Sequence, residues 1–230
     1  SNLLSEIEKL SGVKRIRYTT SHPKDMTEDL IEIYKHSKKL MPLIHLPVQS
    51  GSNKILDLMN RKHTIEEYLD IFFKLKEINP NIEFSSDFII GYPGETSEDF
   101  QLTKKLIENV KYIHSYSFIF SARPGTPAYD LEMIEQSIAK KRLTDFQTTA
   151  EKIKTQYKES LIDKISNVLF ENKIRDENKY FGRDEYLNSV VVRSDKCLVG
   201  NIKKIKITSG NHNTLYGEIF SDFDQNNYAA

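Results

Sequence analysis

The sequence contains a single cysteine in 230 residues, and that scarcity excludes much. A lone Cys197 cannot form an internal disulfide framework, and it fits a reducing cytosol. One thiolate also cannot build a zinc site or an iron–sulfur cluster, which take three or four thiolate or histidine ligands. Cys197 therefore reads as structural, and no metal-ligating residues are expected in this chain. No apolar run approaches the roughly 20 residues that span a bilayer. No signal-peptide pattern opens the chain either, so no membrane partner is expected and the location is taken as cytoplasmic. Charge excess is missing too: 33 basic residues face 33 acidic ones, and no global basic field announces nucleic acid. No acid–base dyad or activated nucleophile stands out. What remains, with 38% hydrophobic and 29% charged residues, is an ordinary globular composition able to bury a core. The chain opens at Ser1-Asn2 without methionine, in a polar helical segment, and is expected to be cut from a longer protein with a vector remnant at its front.

Three strand-like segments each end in a small-residue turn: Leu43 to Ser52 (LIHLPVQSGS), Ile82 to Thr96 (IEFSSDFIIGYPGET) and Ser115 to Ala128 (SYSFIFSARPGTPA). In barrels of parallel strands, ligands sit at the carboxyl ends of the strands. Glycine there admits close backbone approach, and an amide-rich turn entering a helix can meet anionic groups. Three such ends on consecutive strands read as one composite ligand site.

Between these segments the pattern is helical. Arg15 to Thr20 is expected as a strand, with a turn at Ser21-His22-Pro23, and Thr27 to Lys38 as a helix capped by Thr27. A helix is expected from Ser52 through Met59, and a capping box at Thr64 and Glu67 opens the next, which ends before Asn79-Pro80. A strand over Glu83 to Ile90 precedes a helix over Glu98 to Val110, capped by Thr96 or Ser97, and Tyr116 to Phe120 is the fourth strand. This βαβαβαβα order implies parallel neighbours, and four strands are too few for an eight-stranded barrel. Ala139 to Ile165 reads as a long charged linker helix. Beyond it come short alternating strands, Ser166 to Asn172, Tyr186 to Ser194, Gly200 to Ser209 and Thr214 to Phe220, which point to a small antiparallel barrel. The expected division is therefore 1–163, 164–222 and a polar tail, 223–230.

The runs RIRYTTSHP, HLPVQSGS, LMNRKHT, SSDFIIGYPGET and SYSFIFSARPGTPA resemble the radical S-adenosylmethionine methylthiotransferases, in order and along essentially the whole chain. The closest branch adds a 2-methylthio group to N6-isopentenyladenosine beside the tRNA anticodon; sister branches act on threonylcarbamoyl-adenosine or a ribosomal protein. The resemblance implies an α/β fold, the C-terminal part of an open (βα) radical-SAM partial TIM barrel followed by a TRAM, OB-like β-barrel that binds RNA. It also implies S-adenosylmethionine as cofactor, reductively cleaved to a 5′-deoxyadenosyl radical that takes hydrogen from C2 of the adenosine. Family members carry a CxxxCxxC motif on the first barrel strand and a second cluster in an N-terminal domain. Neither is in this sequence. The two 4Fe-4S clusters are thus expected to be ligated outside this chain, which alone is expected to be inactive. The implied partners are the tRNA anticodon stem-loop and S-adenosylmethionine, the full-length enzyme being a monomer. The alternative is a non-catalytic RNA-binding fragment.

Gln49, at a strand end after Pro47, is the candidate for ribose hydroxyls, its other reading a turn-stabilising amide. Arg61 has the fork that pairs bidentately with a carboxylate such as the cofactor's, or is a solvated arginine. Asp87 interrupts an apolar strand, so its carboxylate should face the barrel mouth as a ribose ligand. Gly91, with Gly94 and Pro93, either terminates the strand or, as the resemblance implies, approaches the cofactor. Arg123, fixed by the two prolines that follow it, Pro124 and Pro127, would meet an RNA phosphate or help close the cofactor site. His45 reads as a hydrogen-bonded interior histidine, and His22 and His63 as turn and capping residues. From Ile165 to the end of the chain basic and acidic residues balance, nine against nine. Lys204 and Lys206 alternate with Ile205 and Ile207, forming either a solvated face or a phosphate-tracking stripe with Arg193.

Overall fold

The computed structural model describes residues 1–19, 22–175 and 177–220. The chain separates into two compact units, Ser1–Ile153 and Lys154–Ala230. Among the described residues, no helix is long and apolar enough to cross a membrane. The expected tail at 223–230, together with Thr20 and Ser21, lies outside the described residues.

The first unit runs α1 (Asn2–Lys9), α2 (Glu28–His36), β1 (Leu43–His45), α3 (Asn53–Leu58), α4 (Ile65–Ile78), β2 (Glu83–Ile90), α5 (Ser97–Val110), β3 (His114–Ile119) and α6 (Gln136–Glu159), which continues into the second unit. The three strands form one sheet in the order β1-β2-β3, with both pairs parallel. Helix starts follow local chemistry. Thr64 accepts from the Glu67 N–H while Glu67 caps the Thr64 N–H, and Thr96 and Asp99 repeat the arrangement at α5. On β2, alternation puts Phe84, Ser86, Phe88 and Ile90 on the helix-covered face, fully buried. There Phe84 meets Phe72 at 4.8 Å between ring centroids, and Phe88 meets Phe146 at 4.7 Å. Each such aromatic contributes about 1.5–3 kcal/mol by leaving water. Glu83, Ser85, Asp87 and Ile89 occupy the other face.

Two expectations need correction here. The segment Arg15 to Thr20 is not a strand among its described residues; it makes one isolated parallel bridge, Ile16 with Leu40. Its ladder consists of two hydrogen bonds, Ile16 N–H to the Lys39 carbonyl and Met41 N–H to the Ile16 carbonyl. The long helix also stops at Glu159 rather than reaching Ile165. Asp163 takes a left-handed φ of 65° and donates its N–H to the Ile207 carbonyl, which turns the backbone out of the helix and into a strand.

The second unit holds β4 (Ile165–Lys173), β5 (Lys179–Arg183), β6 (Ser189–Arg193), β7 (Ile202–Gly210) and β8 (Thr214–Ile219). They close into a barrel in the order β4-β5-β6-β8-β7 around Val168, Phe170, Val190, Val192, Ile205, Ile207 and Leu215. The expected all-antiparallel barrel is corrected at one seam, where β6 and β8 are parallel. An odd ring of five strands cannot alternate direction at every neighbour, so one pair must run parallel. The strand missed from the sequence, β5, is what makes the number odd.

Candidate cofactor and substrate site

The site begins at the end of β1, where Pro47 breaks the ladder. Ser86 repairs the break: its hydroxyl donates to the Leu46 carbonyl at 2.8 Å and accepts the Val48 N–H at 2.9 Å. The buried Tyr68 hydroxyl also donates to the Leu46 carbonyl, at 3.0 Å. Beyond the break the chain rejoins β2 at one residue. The Gln49 N–H donates to the Asp87 carbonyl at 3.0 Å, and the Ile89 N–H to the Gln49 carbonyl at 2.9 Å. Gln49 holds φ at 73°, a left-handed conformation that costs a non-glycine residue about 1–2 kcal/mol. Strain of this kind collects where surrounding structure must aim a particular side chain.

Asp87 lies on the open face of β2, its carboxylate 3.5 Å from His45 Nε2. His45 Nδ1 in turn sits 2.9 Å from the Ser85 hydroxyl, the interior hydrogen bond expected for this histidine. Across the ladder from Asp87 stands Tyr116, whose ring meets that of His45 edge-on at 6.0 Å. Arg61 follows α3, its N–H bonded to the Leu56 carbonyl at 2.8 Å after Asn60 turns at φ 56°. Partial burial pushes the Arg61 guanidinium below its usual pKa, and the charge of Asp87 works against that shift.

These strand ends enclose a cavity of about 890 Å³, lined by Gln49, Arg61, Asp87 and Arg123 among others. Gln49 and Arg61 from between β1 and β2, Asp87 from β2 and Arg123 from the segment after β3 therefore meet on one site. Arg123 reaches it from the turn after β3, where its carbonyl accepts the Thr126 hydroxyl at 2.7 Å. Sequence reading missed the apolar part of the lining: Leu58, Met59, Tyr92, Phe118 and Phe120. Their only signal was membership of the three turn-ended segments and of LMNRKHT.

Gly91 is not among the lining residues. Its N–H donates to the Glu95 carboxylate at 2.8 Å, and it turns at φ 72°, where a Cβ would stand 2.9 Å from that of Ala139. Burial raises the Glu95 pKa, opposed by the Gly91 N–H and by Arg142, whose guanidinium lies 2.8 Å away. Glycine here seats the end of β2 against α6.

The histidines divide. His22 accepts the Lys24 N–H at 3.1 Å in a 3-10 turn, as expected of a turn residue. His63 is not a cap, since Thr64 fills that role; its ring is buried with neither nitrogen hydrogen-bonded. Burial, then the neighbouring His22 and Arg61, pushes its pKa down to about 4, against weaker opposition from the Val48 backbone and Glu67.

In the barrel unit, Lys204 and Lys206 point outward between buried Ile205 and Ile207. Lys206 lies 3.8 Å from Asp163 and pairs across the ladder with Glu218. Arg193 belongs to a separate groove of about 320 Å³ with Lys179, Thr208, Tyr216 and Glu218, which neither lysine lines. Glu218, which faces Lys206 on the ladder, also lines the groove of Arg193 and sets a carboxylate between the two basic groups.

Among the described residues, no cluster of three or more His, Cys, Asp or Glu could hold a metal ion. Residues 2–107 match the Radical SAM superfamily. Over nearly its whole length the chain is similar to proteins named tRNA-2-methylthio-N(6)-dimethylallyladenosine synthase. It is 56% identical to that of Pelagibacter ubique over 95% of this chain and 49% of the relative. To that of Ruegeria sp. it is 42% identical over 95% of this chain and 50% of the relative. A solved structure of the radical SAM enzyme coproporphyrinogen III oxidase from Escherichia coli covers 87% of this chain and 50% of that chain, at 12% identity and a TM-score of 0.49, too distant to argue from. Residues 2–107 are thus similar to radical SAM proteins. More particularly, the chain is similar to the tRNA methylthiotransferases its motifs resemble, and it spans about half the length of the curated relatives it matches.

Proposed function

We propose that this chain is the cofactor- and RNA-positioning part of a tRNA methylthiotransferase, which adds a 2-methylthio group to N6-isopentenyladenosine beside the anticodon. The observation that carries this reading is the meeting of Gln49, Arg61, Asp87 and Arg123 on one cavity, in a chain 56% identical to such a synthase over 219 residues.

The donor set fits S-adenosylmethionine. Asp87 offers carboxylate oxygens to ribose hydroxyls, the strained Gln49 adds an amide beside it, and Arg61 presents a guanidinium suited to the cofactor's carboxylate. His45 keeps the Asp87 carboxylate oriented while Ser85 fixes the imidazole from behind. When bound with a reduced cluster, this cofactor supplies radical chemistry at C2 of the adenine. The chain contributes placement, which can be worth several kcal/mol of a barrier when reacting atoms are held in line. Iron–sulfur clusters do not fit here, because the single Cys197 is exposed and stands alone; both 4Fe-4S clusters belong to ligands outside this chain.

In this reading the first unit is the C-terminal part of a partial TIM barrel, and the closed five-stranded barrel is a TRAM, OB-like module that touches the anticodon stem-loop through Arg193, Lys204 and Lys206. The enzyme acts as a monomer in the cytoplasm. The test is calorimetry of S-adenosylmethionine binding to the full-length gene product carrying Gln49→Ala, Arg61→Ala or Asp87→Ala. Each change should weaken binding by about 1–3 kcal/mol, the cost of losing one polar partner at a buried site. Parental affinity in all three would refute the assignment.

A further inference from the structure

On β3, Tyr116 and Phe118 point to the same face and remain 51% and 60% exposed. Two residues apart on a strand, their rings are set about 7 Å apart. Across the ladder they face Asp87 and Ile89, and Phe118 lines the cavity with Arg123 beyond it. Below them Met59, Ile89, Tyr92, Phe120 and Ala128 pack into a small apolar cluster of their own. The cavity's 890 Å³ lies near the top of the roughly 300–1,000 Å³ usual for one small ligand. A cofactor held by Gln49, Arg61 and Asp87 therefore leaves space on the β3 side.

We propose that this second space receives the target nucleoside itself, a purine with an apolar N6 substituent, stacked on Phe118. The inference rests on the tRNA reading above. Unstacked bases are recognised by stacking on exposed aromatic rings, and such rings on an open sheet face form the usual platform. The apolar cluster gives the N6 substituent a dry seat, which a bare exocyclic amine would not use. Arg123, at the rim, meets the flanking phosphate. Tyr116 extends the aromatic face beside Phe118, its ring edge-on to that of His45.

The experiment measures equilibrium binding of two anticodon stem-loops to the full-length gene product, one carrying N6-dimethylallyladenosine and one plain adenosine, with S-adenosylmethionine affinity as a control. Stacking contributes about 1–3 kcal/mol per base, or about 5- to 150-fold in affinity. Phe118→Ala should weaken the modified stem-loop by at least about fivefold and the plain one less, leaving cofactor affinity unchanged. Phe118→Tyr, which keeps the ring, should restore binding. Parental stem-loop affinity in Phe118→Ala, or an equal loss of cofactor binding, overturns the proposal while the tRNA reading stands. If the unsubstituted protein binds neither stem-loop, the tRNA reading fails and this inference falls with it.

Discussion

Asp99 offers a sharp test of how the site is held. Its carboxylate accepts from the Ser52 hydroxyl at 2.7 Å, from the Thr96 N–H and hydroxyl at 2.9 Å each, and from Lys54 Nζ at 2.9 Å. One side chain thus ties the start of α3 to the start of α5, and Arg61 hangs from the far end of α3. Burial alone would raise its pKa, but the hydrogen bonds from Ser52, Thr96 and Lys54 hold it well below the usual carboxylate range. Asp99→Ala leaves the buried Ser52 hydroxyl unsatisfied, at about 1–3 kcal/mol, and removes the capping box at α5, at about 1 kcal/mol. The half-exposed Lys54 adds little. A loss of about 3 kcal/mol is expected in urea unfolding at neutral pH, and about 1–2 kcal/mol for Asp99→Asn, which keeps one accepting oxygen. Because the folded pKa is depressed, the contribution is complete above about pH 4 and disappears as pH falls below it, so the parent and Asp99→Ala should converge in acid. An alanine variant within about 1 kcal/mol of the parent at neutral pH, or a difference that persists unchanged into acid, would refute the reasoning.

Three further outcomes follow from the same geometry. His63 is held neutral with a pKa near 4, so its contribution is full above about pH 6.5 and lost as pH falls toward 4. At most about 3 kcal/mol is involved, and His63→Gln should flatten that part of the acid unfolding curve; an unchanged slope would show the ring already hydrated. In salt titrations of stem-loop binding, Lys204→Ala/Lys206→Ala and Arg193→Ala should each weaken affinity and make the slope shallower. Identical slopes in parent and variants would mean both faces are merely solvated. Gly182→Ala should destabilise the small barrel by about 2 kcal/mol or more, since a Cβ there would stand 2.4 Å from the Leu169 carbonyl oxygen. Thermal unfolding with near-parental midpoints would contradict that close approach.

Much of the local structure was legible because it is decided by neighbours in the chain. The strand over Glu83–Ile90 and the capping box at Thr64 and Glu67 stand as read, since alternation and caps act within a few residues. The Asp99 cap was equally readable from Thr96 three residues earlier, but its reach to Ser52 and Lys54 was not. Composition also settled what this chain cannot do alone: one thiolate cannot ligate a cluster. Other features depended on partners distant in sequence. The segment at Arg15 formed a single bridge to Leu40 instead of a strand, Asp163 was drawn out of its helix by Ile207, and an unread fifth strand forced the parallel seam. His63 looked like a cap in sequence and proved a buried ring with neither nitrogen hydrogen-bonded. The residue types of the site and their convergence at the strand ends were therefore legible beforehand, but which side chains line the cavity was not. Gln49, Arg61, Asp87 and Arg123 lie up to 74 positions apart in sequence. Only parallel strands, which place successive carboxyl ends at one edge of the sheet, bring them to a single cavity.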